Sequence, residues 1–250
     1  MGSMGKIPWK TYEIYFMDLN SIVLIGFYII ILIYSIIIHE VMHGYVALWL
    51  GDSTAKYAGR LNFNPINHID PVGSIFVPLL MLVTSGFHYA FGWAKPVPYN
   101  PFNLKNQKFG PMLVALGGPG SNIVLALVAA IIGRLITLPT AIKGDIILSV
   151  AAGNWTQLST FVAGSFGAIV FTLMTMVIFW NVLLAFFNLI PFPPLDGSKI
   201  LFTIFPIKTE TMMMLEQYGF MLLLIFIFLF STPMGIFLNT MLGLFFGITI

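Results

Sequence analysis

Cysteine does not occur in the 250 residues. That excludes a disulfide framework and leaves histidine and carboxylate as the side chains able to hold a metal. Charge is nearly as scarce: only 8% of residues are Asp, Glu, Lys or Arg, against roughly a quarter in a soluble domain. The formal net charge of +2 is too small, and the basic residues too scattered, to form a nucleic-acid-binding face. There is no internal repeat, low-complexity tract or soluble-domain linker. What the chain has in abundance is apolar, with 58% hydrophobic residues and a mean hydropathy of +0.96. A water-soluble fold cannot hide that much apolar surface, so the composition places the chain in a bilayer.

The opening MGSMGKIPWK reads as a short cloning remnant, residues 1–3, ahead of a native Met4, and it shows no signal-peptide pattern. Apolar runs of spanning length occupy about 21–50, 110–137, 161–189 and 211–231, each near or above the roughly 20 residues a bilayer requires. Runs at 71–87 and 233–250 are borderline. The pattern predicts one domain over 1–250, an all-α polytopic membrane protein with about five to six transmembrane helices. Residues 53–63, STAKYAGRLNF, alternate with period two, and 91–100, FGWAKPVPYN, is a second extended stretch. Both suggest short membrane-associated β-strands, with ordinary amphipathic loops as the alternative. Pro96 and Pro98 lack N–H groups, so only the other edge of the second stretch is able to pair in a full ladder.

The first apolar run carries IIIHEVMHG, residues 36–44. A helix through 21–50 is about 45 Å long, and His39 lies roughly 27 Å along it, towards the far side of the membrane. His39 and His43 stand four apart and project from one face. Ionisable groups at such depth cost a few kcal/mol each when unpaired. The spacing H-E-x-x-H lets two imidazoles share one zinc, with the intervening Glu40 placed as general base. The alternative is polar interhelical glue.

A catalytic zinc takes three protein ligands and keeps one position open. Of nine acidic residues, Asp196 stands out because it lies inside FNLIPFPPLDGSKILFTIF, residues 187–205. Pro191, Pro193 and Pro194 break a helix there, which lipid tolerates only where the freed backbone lines an enclosed or wet cavity. Asp196 is therefore a candidate third ligand; a helix cap following a proline kink is the other reading, and the two are compatible.

Several segments resemble the site-2 protease family of intramembrane zinc metalloproteases. HEVMHG is similar to that family's zinc motif, NLIPFPPLDG to its second signature, and GGPGSN, residues 117–122, to its G-P-x-x-N element. FNPINHIDPVG (63–73) and GWAKPVP (92–98) resemble elements of the compact bacterial and archaeal branch, and nothing resembles an attached PDZ or CBS domain. The resemblance implies His39, His43 and Asp196 as ligands of one Zn2+ per chain and Glu40 as the base. It further implies a catalytic core over 21–200, C-terminal helices over 211–250 and a transmembrane protein or peptide as substrate in the lipid bilayer of a prokaryotic cell. The rival class is a zinc-binding membrane protein without proteolytic activity, a transporter or an inactive scaffold.

A ligand cluster must sit at one depth. If 71–87 is a re-entrant segment, the runs at 21–50 and 161–189 cross in the same sense and Asp196 arrives on the side of His39 and His43. Lys56 and Arg60 then share a side with Lys95, Lys105 and Lys108, which positive-inside makes cytoplasmic. Asn122 and Asn188, amides in apolar surroundings, are candidates for binding substrate backbone or a developing oxyanion, with helix–helix hydrogen bonding as the alternative. His68 in PINHIDP reads as a loop histidine bonded to backbone. His88 reads as interfacial.

Overall fold

The computed structural model describes residues 18–86, 92–205 and 207–250. Helix α1, Leu19–Trp49, starts where the Asp18 carboxylate accepts from the Ser21 N–H at 3.1 Å, an N-cap bond that satisfies one of the helix's orphan donors. It ends where Gly51 takes φ +109° and the N–H groups of Gly51 and Asp52 fold back on the carbonyls of Leu48 and Ala47. The chain then makes a short helix α2, Thr54–Tyr57, a 3-10 turn, Pro65–His68, and a π-helical turn, Pro71–Phe76, that runs into α3, Val77–Thr84. After an extended stretch over 92–100, α4 (Gly110–Leu135) returns across the molecule. Helices α5 (Thr140–Ala152) and α6 (Trp155–Val162) form a hairpin at its far end, and α7 (Phe166–Asn188) runs back. Helices α8 (Gly197–Ile204), α9 (Thr209–Gln217) and α10 (Gly219–Thr249) complete the chain.

Four helices, α1, α4, α7 and α10, are long and apolar enough to cross a membrane. The expectation of five to six is thus too high among the described residues. The runs at 211–231 and 233–250 are not two spans. Pro233 lies inside α10, where the backbone at Phe230 leaves helical geometry (φ −114°, ψ 20°) and the helix kinks and continues. The segment Pro71–Thr84 is helical and apolar but has only 14 residues, about 20 Å of helix and too short to span.

The two expected strands are corrected as well. Among the described residues there is no β-strand. Residues 54–57 coil into α2, and the turn closes through Gly59 at φ +66° with its N–H on the Lys56 carbonyl. The 92–100 stretch is extended, but its bonds go to separate loop atoms rather than to a partner strand. Trp93 N–H donates to the Gly73 carbonyl at 3.1 Å and Lys95 N–H to the His68 carbonyl at 2.9 Å. Arg60 donates to the Lys95 carbonyl at 2.8 Å.

Helix α4 sits at the centre, packed most extensively on α7 and α1. Its buried face is small, with Ala126, Ala129, Ala130 and Gly133, which lets Phe171, Ile178 and Val182 of α7 approach closely. In lipid such contacts, with interhelical hydrogen bonds, replace the hydrophobic effect as the cohesive force. Outward residues such as Ile22, Ile29, Val128, Ile131, Phe228 and Leu229 are exposed, as a lipid-facing surface requires. Tyr28 of α1 meets Trp155 and Trp180, each at 4.9 Å between ring centroids; Ser35 further along α1 meets Asn181 of α7, and His39, one turn on, meets Asp196 just past the end of α7. Helices α1 and α7 therefore run in the same sense and deliver their C-terminal ends to one end of the bundle.

Candidate metal centre

His39 and His43 lie one turn apart on α1, with ring centroids 4.7 Å apart and planes at 87°. The segment after α7 brings Asp196 over them. Its Oδ2 is 3.1 Å from His39 Nε2 and 3.3 Å from His43 Nε2. Glu40 completes a group whose ligating atoms, with those of the two histidines, lie within 4.8 Å of one another. Asp196 can be presented this way because the next residue is glycine: a Cβ at Gly197 would lie 2.4 Å from the carbonyl oxygens of both Leu189 and Ile190.

The far side of each imidazole is held. His39 Nδ1 donates to Asn122 Oδ1 at 2.6 Å and His43 Nδ1 to the Val114 carbonyl at 2.7 Å, the arrangement that turns Nε2 of each ring towards a shared ion. A zinc ion with bonds of about 2.0–2.2 Å has tetrahedral ligands about 3.3–3.5 Å apart, close to the separations found here. Gly118 of α4 gives a second test of fit. A Cβ there would come within 2.5 Å of His43 Nε2 and 2.6 Å of His39 Nε2 and His43 Cε1, so the absent side chain lets α4 pack close against both donor rings. The residues present fit zinc.

Glu40 Oε2 accepts from the Val97 N–H at 3.0 Å, which ties the 92–100 stretch across the site. Further along, Asn100 N–H donates to Asp52 Oδ2 at 2.7 Å, and Asn103 and Thr54 bond Asp52 Oδ1. Burial pushes the Asp52 carboxyl up, but the bonds from Thr54, Asn103 and the Asn100 backbone outweigh that and hold it below the ordinary carboxylate value. A cavity of about 240 Å³ opens on His39, Glu40, His43 and Asp196 between the Pro96–Val97 and Asn188 walls. Beside it, a larger cavity of about 380 Å³ is lined by Ile33, Ile36 and Ile37 of α1 with Pro78, Trp93 and Ala94.

Asn122 is fully buried and bonded to His39, Ser35 and Asn181. Asn188 borders the smaller cavity and donates to its own helix at the Leu184 carbonyl, 2.9 Å. His68 bonds the Asn62 carbonyl through Nε2 at 2.8 Å and belongs to the loop. His88 lies outside the described residues. Sequence reasoning missed Gly118, Val97, Ser35 and Asn181. Of these Asn181 carried a signal, a second amide in the apolar run two turns before Asn188.

A helix-borne H-E-x-x-H completed by a distant aspartate, among helices of membrane length, defines a multi-pass membrane protein with a metallohydrolase-type donor set. Comparison with known proteins narrows this class. Residues 27–230 match the model of peptidase family M50, and the chain belongs to that family. It is 36% identical over 219 residues to the "Putative zinc metalloprotease YwhC" of Bacillus subtilis (strain 168), covering 85% of this chain and 83% of the relative. A more distant relative is the "Putative zinc metalloprotease Rip2" of Mycolicibacterium smegmatis (strain ATCC 700084 / mc(2)155). It is 24% identical over 125 residues, 49% of this chain and 45% of the relative. No solved structure matches the chain.

Proposed function

We propose that this chain is a site-2 protease-like zinc metalloendopeptidase that hydrolyses peptide bonds in or near transmembrane segments of membrane-protein substrates, as in regulated intramembrane proteolysis. One observation carries the reading: His39 Nε2 and His43 Nε2 converge on Asp196 Oδ2 at 3.1 and 3.3 Å, with Glu40 between the two histidines in sequence and beside them in space. Zinc held by His39, His43 and Asp196, one per chain, would polarise the scissile carbonyl and acidify a water molecule. Glu40 takes the proton from the attacking water and passes it to the leaving amine. Its Oε2 accepts from the Val97 N–H at 3.0 Å, which holds the carboxylate at the site.

A substrate helix hides its carbonyls in its own ladder and must be extended before cleavage. The 92–100 stretch supports an accommodation for it, because Ala94 borders the larger cavity and Pro96 and Val97 border the smaller one. Residues 93, 95 and 97 bond to the protein on one edge. On the other edge Pro96 and Pro98 offer only carbonyls, so an extended substrate donates its N–H groups there and keeps its own carbonyls for the site. Asn188, on the opposite wall, is the amide placed to meet substrate.

The segment Pro71–Thr84 is read as re-entrant, since its flanks are tied together through Gly73, His68 and Lys95. Lys56, Arg60, Lys95, Lys105 and Lys108 then face the cytoplasm of a prokaryotic cell, and the site opens to that half of the membrane. Labelling of cysteines introduced at Ser53 and Asn100 should report one common side; opposite sides would overturn the topology. The function itself is tested by zinc content and cleavage. The parent should hold about one zinc per chain, Asp196→Asn should lose most of it, and Glu40→Gln should keep it while turnover falls by at least the 10²–10⁴-fold typical of a lost general base. Undiminished zinc in Asp196→Asn, or unchanged cleavage in Glu40→Gln, would sink the assignment.

A further inference from the structure

We propose that Asn181 and Ser35 are positioning residues that fix the tautomer of His39 through Asn122. This role presupposes the zinc site proposed above, whereas the hydrogen-bond polarity behind it does not. The polarity is set at the end remote from the site. The Val177 carbonyl, an acceptor only, lies 2.9 Å from one terminal atom of the Asn181 amide, and Ser35 Oγ lies 2.9 Å from the same atom. An amide oxygen there would face a carbonyl oxygen, so that atom is Nδ2. Asn181 Oδ1 is thereby turned to Asn122, whose facing atom, 2.6 Å away, must donate. The same Asn122 atom lies 3.3 Å from the Ser35 carbonyl, a second acceptor-only group.

Asn122 Oδ1 is then left for His39, 2.6 Å from Nδ1. An amide oxygen that close accepts, so Nδ1 carries the proton and Nε2 keeps its lone pair, directed at the space shared with Asp196. Every member is nearly sealed: Ser35, His39, Asn122 and Asn181 are 3%, 5%, 0% and 1% exposed. Water therefore cannot substitute for a missing partner. The chain runs through α1, α4 and α7, so the three helices that build the bundle also orient the ring. Without Asn181, only the longer 3.3 Å contact with the Ser35 carbonyl opposes a flip of the Asn122 amide that presents its NH2 group to His39. That favours the Nε2–H form, which cannot ligate through Nε2.

The experiment is imidazole ¹⁵N NMR of the metal-free protein labelled at histidine, with the His39 signals identified by their absence in His39→Gln. Zinc affinity is measured alongside by chelator competition. The parent should show His39 with Nδ1 protonated, whether or not Nε2 carries a second proton towards Asp196 Oδ2 at 3.1 Å. Asn181→Leu should populate the Nε2–H form and weaken zinc binding about 10- to 100-fold, the range for lost outer partners of a ligand. Asn181→Asp, whose buried neutral carboxyl keeps one acceptor oxygen and one O–H donor, should restore both readings. A parental tautomer and affinity in Asn181→Leu would overturn the proposal, and so would equal losses in the Leu and Asp variants. The parent spectrum alone is decisive should Asn181→Leu fail to fold, because a His39 ring whose Nδ1 carries no proton refutes the role. A parent with the Nδ1–H form and no zinc affinity would instead refute the zinc reading and, with it, the purpose of the relay, leaving only the polarity.

Discussion

Substituting Gly118 by alanine adds a single methyl group, and the structure places it hard against both ligand rings. The new carbon would lie 2.5 Å from His43 Nε2 and 2.6 Å from His39 Nε2, about 1 Å inside an ordinary van der Waals separation of roughly 3.5 Å. Neither ring can retreat without losing its bond to Asn122 or to the Val114 carbonyl. Zinc needs about 2.0–2.1 Å to the same two nitrogens, so rings pushed aside by the methyl no longer meet those distances together. Overpacking of this size costs about 1–3 kcal/mol, which at about 1.4 kcal/mol per factor of ten weakens zinc binding roughly 5- to 150-fold. Helix propensity cannot explain a loss, because Ala is favoured over Gly inside a helix by about 1 kcal/mol. The assay is zinc competition against a chromophoric chelator, with the melting temperature of the metal-free form as control. An affinity within about twofold of the parent would show that the donors do not converge as described, since the packing cost predicts at least about fivefold.

Three further outcomes are expected. Removing zinc by dialysis against chelator should lower the melting temperature; a ligand at 100 times its Kd contributes about 2.7 kcal/mol, so an unchanged midpoint would speak against tight binding to the folded state. The folded pKa of Asp52 lies below its unfolded value, so its stabilisation is complete above about pH 4 and disappears as pH falls through the lowered folded value. Asp52→Asn should therefore destabilise at neutral pH, by about 1–2 kcal/mol, and converge with the parent in acid, which thermal melts across a pH series would reveal. Lys143 is buried and donates to the carbonyls of Gly133 at 3.0 Å and Thr249 at 2.9 Å, capping α4 and α10 together with a charge suited to helix C-termini. Lys143→Met leaves both acceptors without that donor at about 1–3 kcal/mol each, and limited proteolysis should then find the end of α10 newly accessible.

The parts of this protein legible in its sequence are those where lipid leaves few choices. A histidine pair and a carboxylate in an apolar run are costly unless used, which is why His39, Glu40, His43 and Asp196 stood out; the family resemblance implied that they meet, and depth then chose between topologies. The misread parts follow a different physics. Period-two alternation over 53–63 suggested a strand, but alternation signals a strand only when one face is buried. Here Tyr57 is 86% exposed while Ala55 and Arg60 are covered, and local turn bonds decide the conformation. The runs 211–231 and 233–250 were read apart, yet a membrane helix absorbs a proline such as Pro233 as a kink when neighbouring groups satisfy the backbone. The hairpin α5–α6 was passed over because its residues are too mixed for a spanning run. Its place against Tyr28 and Ser21 depends on α1, which no local pattern reveals. The hydrogen-bonding alternative for Asn122 fits its bonds, and Asn181, its partner on α7, was not singled out.

The metal donors have a further consequence that concerns time rather than space. His39 and His43 belong to the first helix of the bundle, and Asp196 follows the third of its long helices. At about 5–20 residues per second, a ribosome adds Asp196 roughly 8–30 s after His43. Over that interval two imidazoles alone face the site, and neither the third donor nor the helix that orients His39 through Asn181 has been made. On the proposed assignment, a centre assembled this way is born inactive, because its donor set is complete only once α7 and the segment after it have been made.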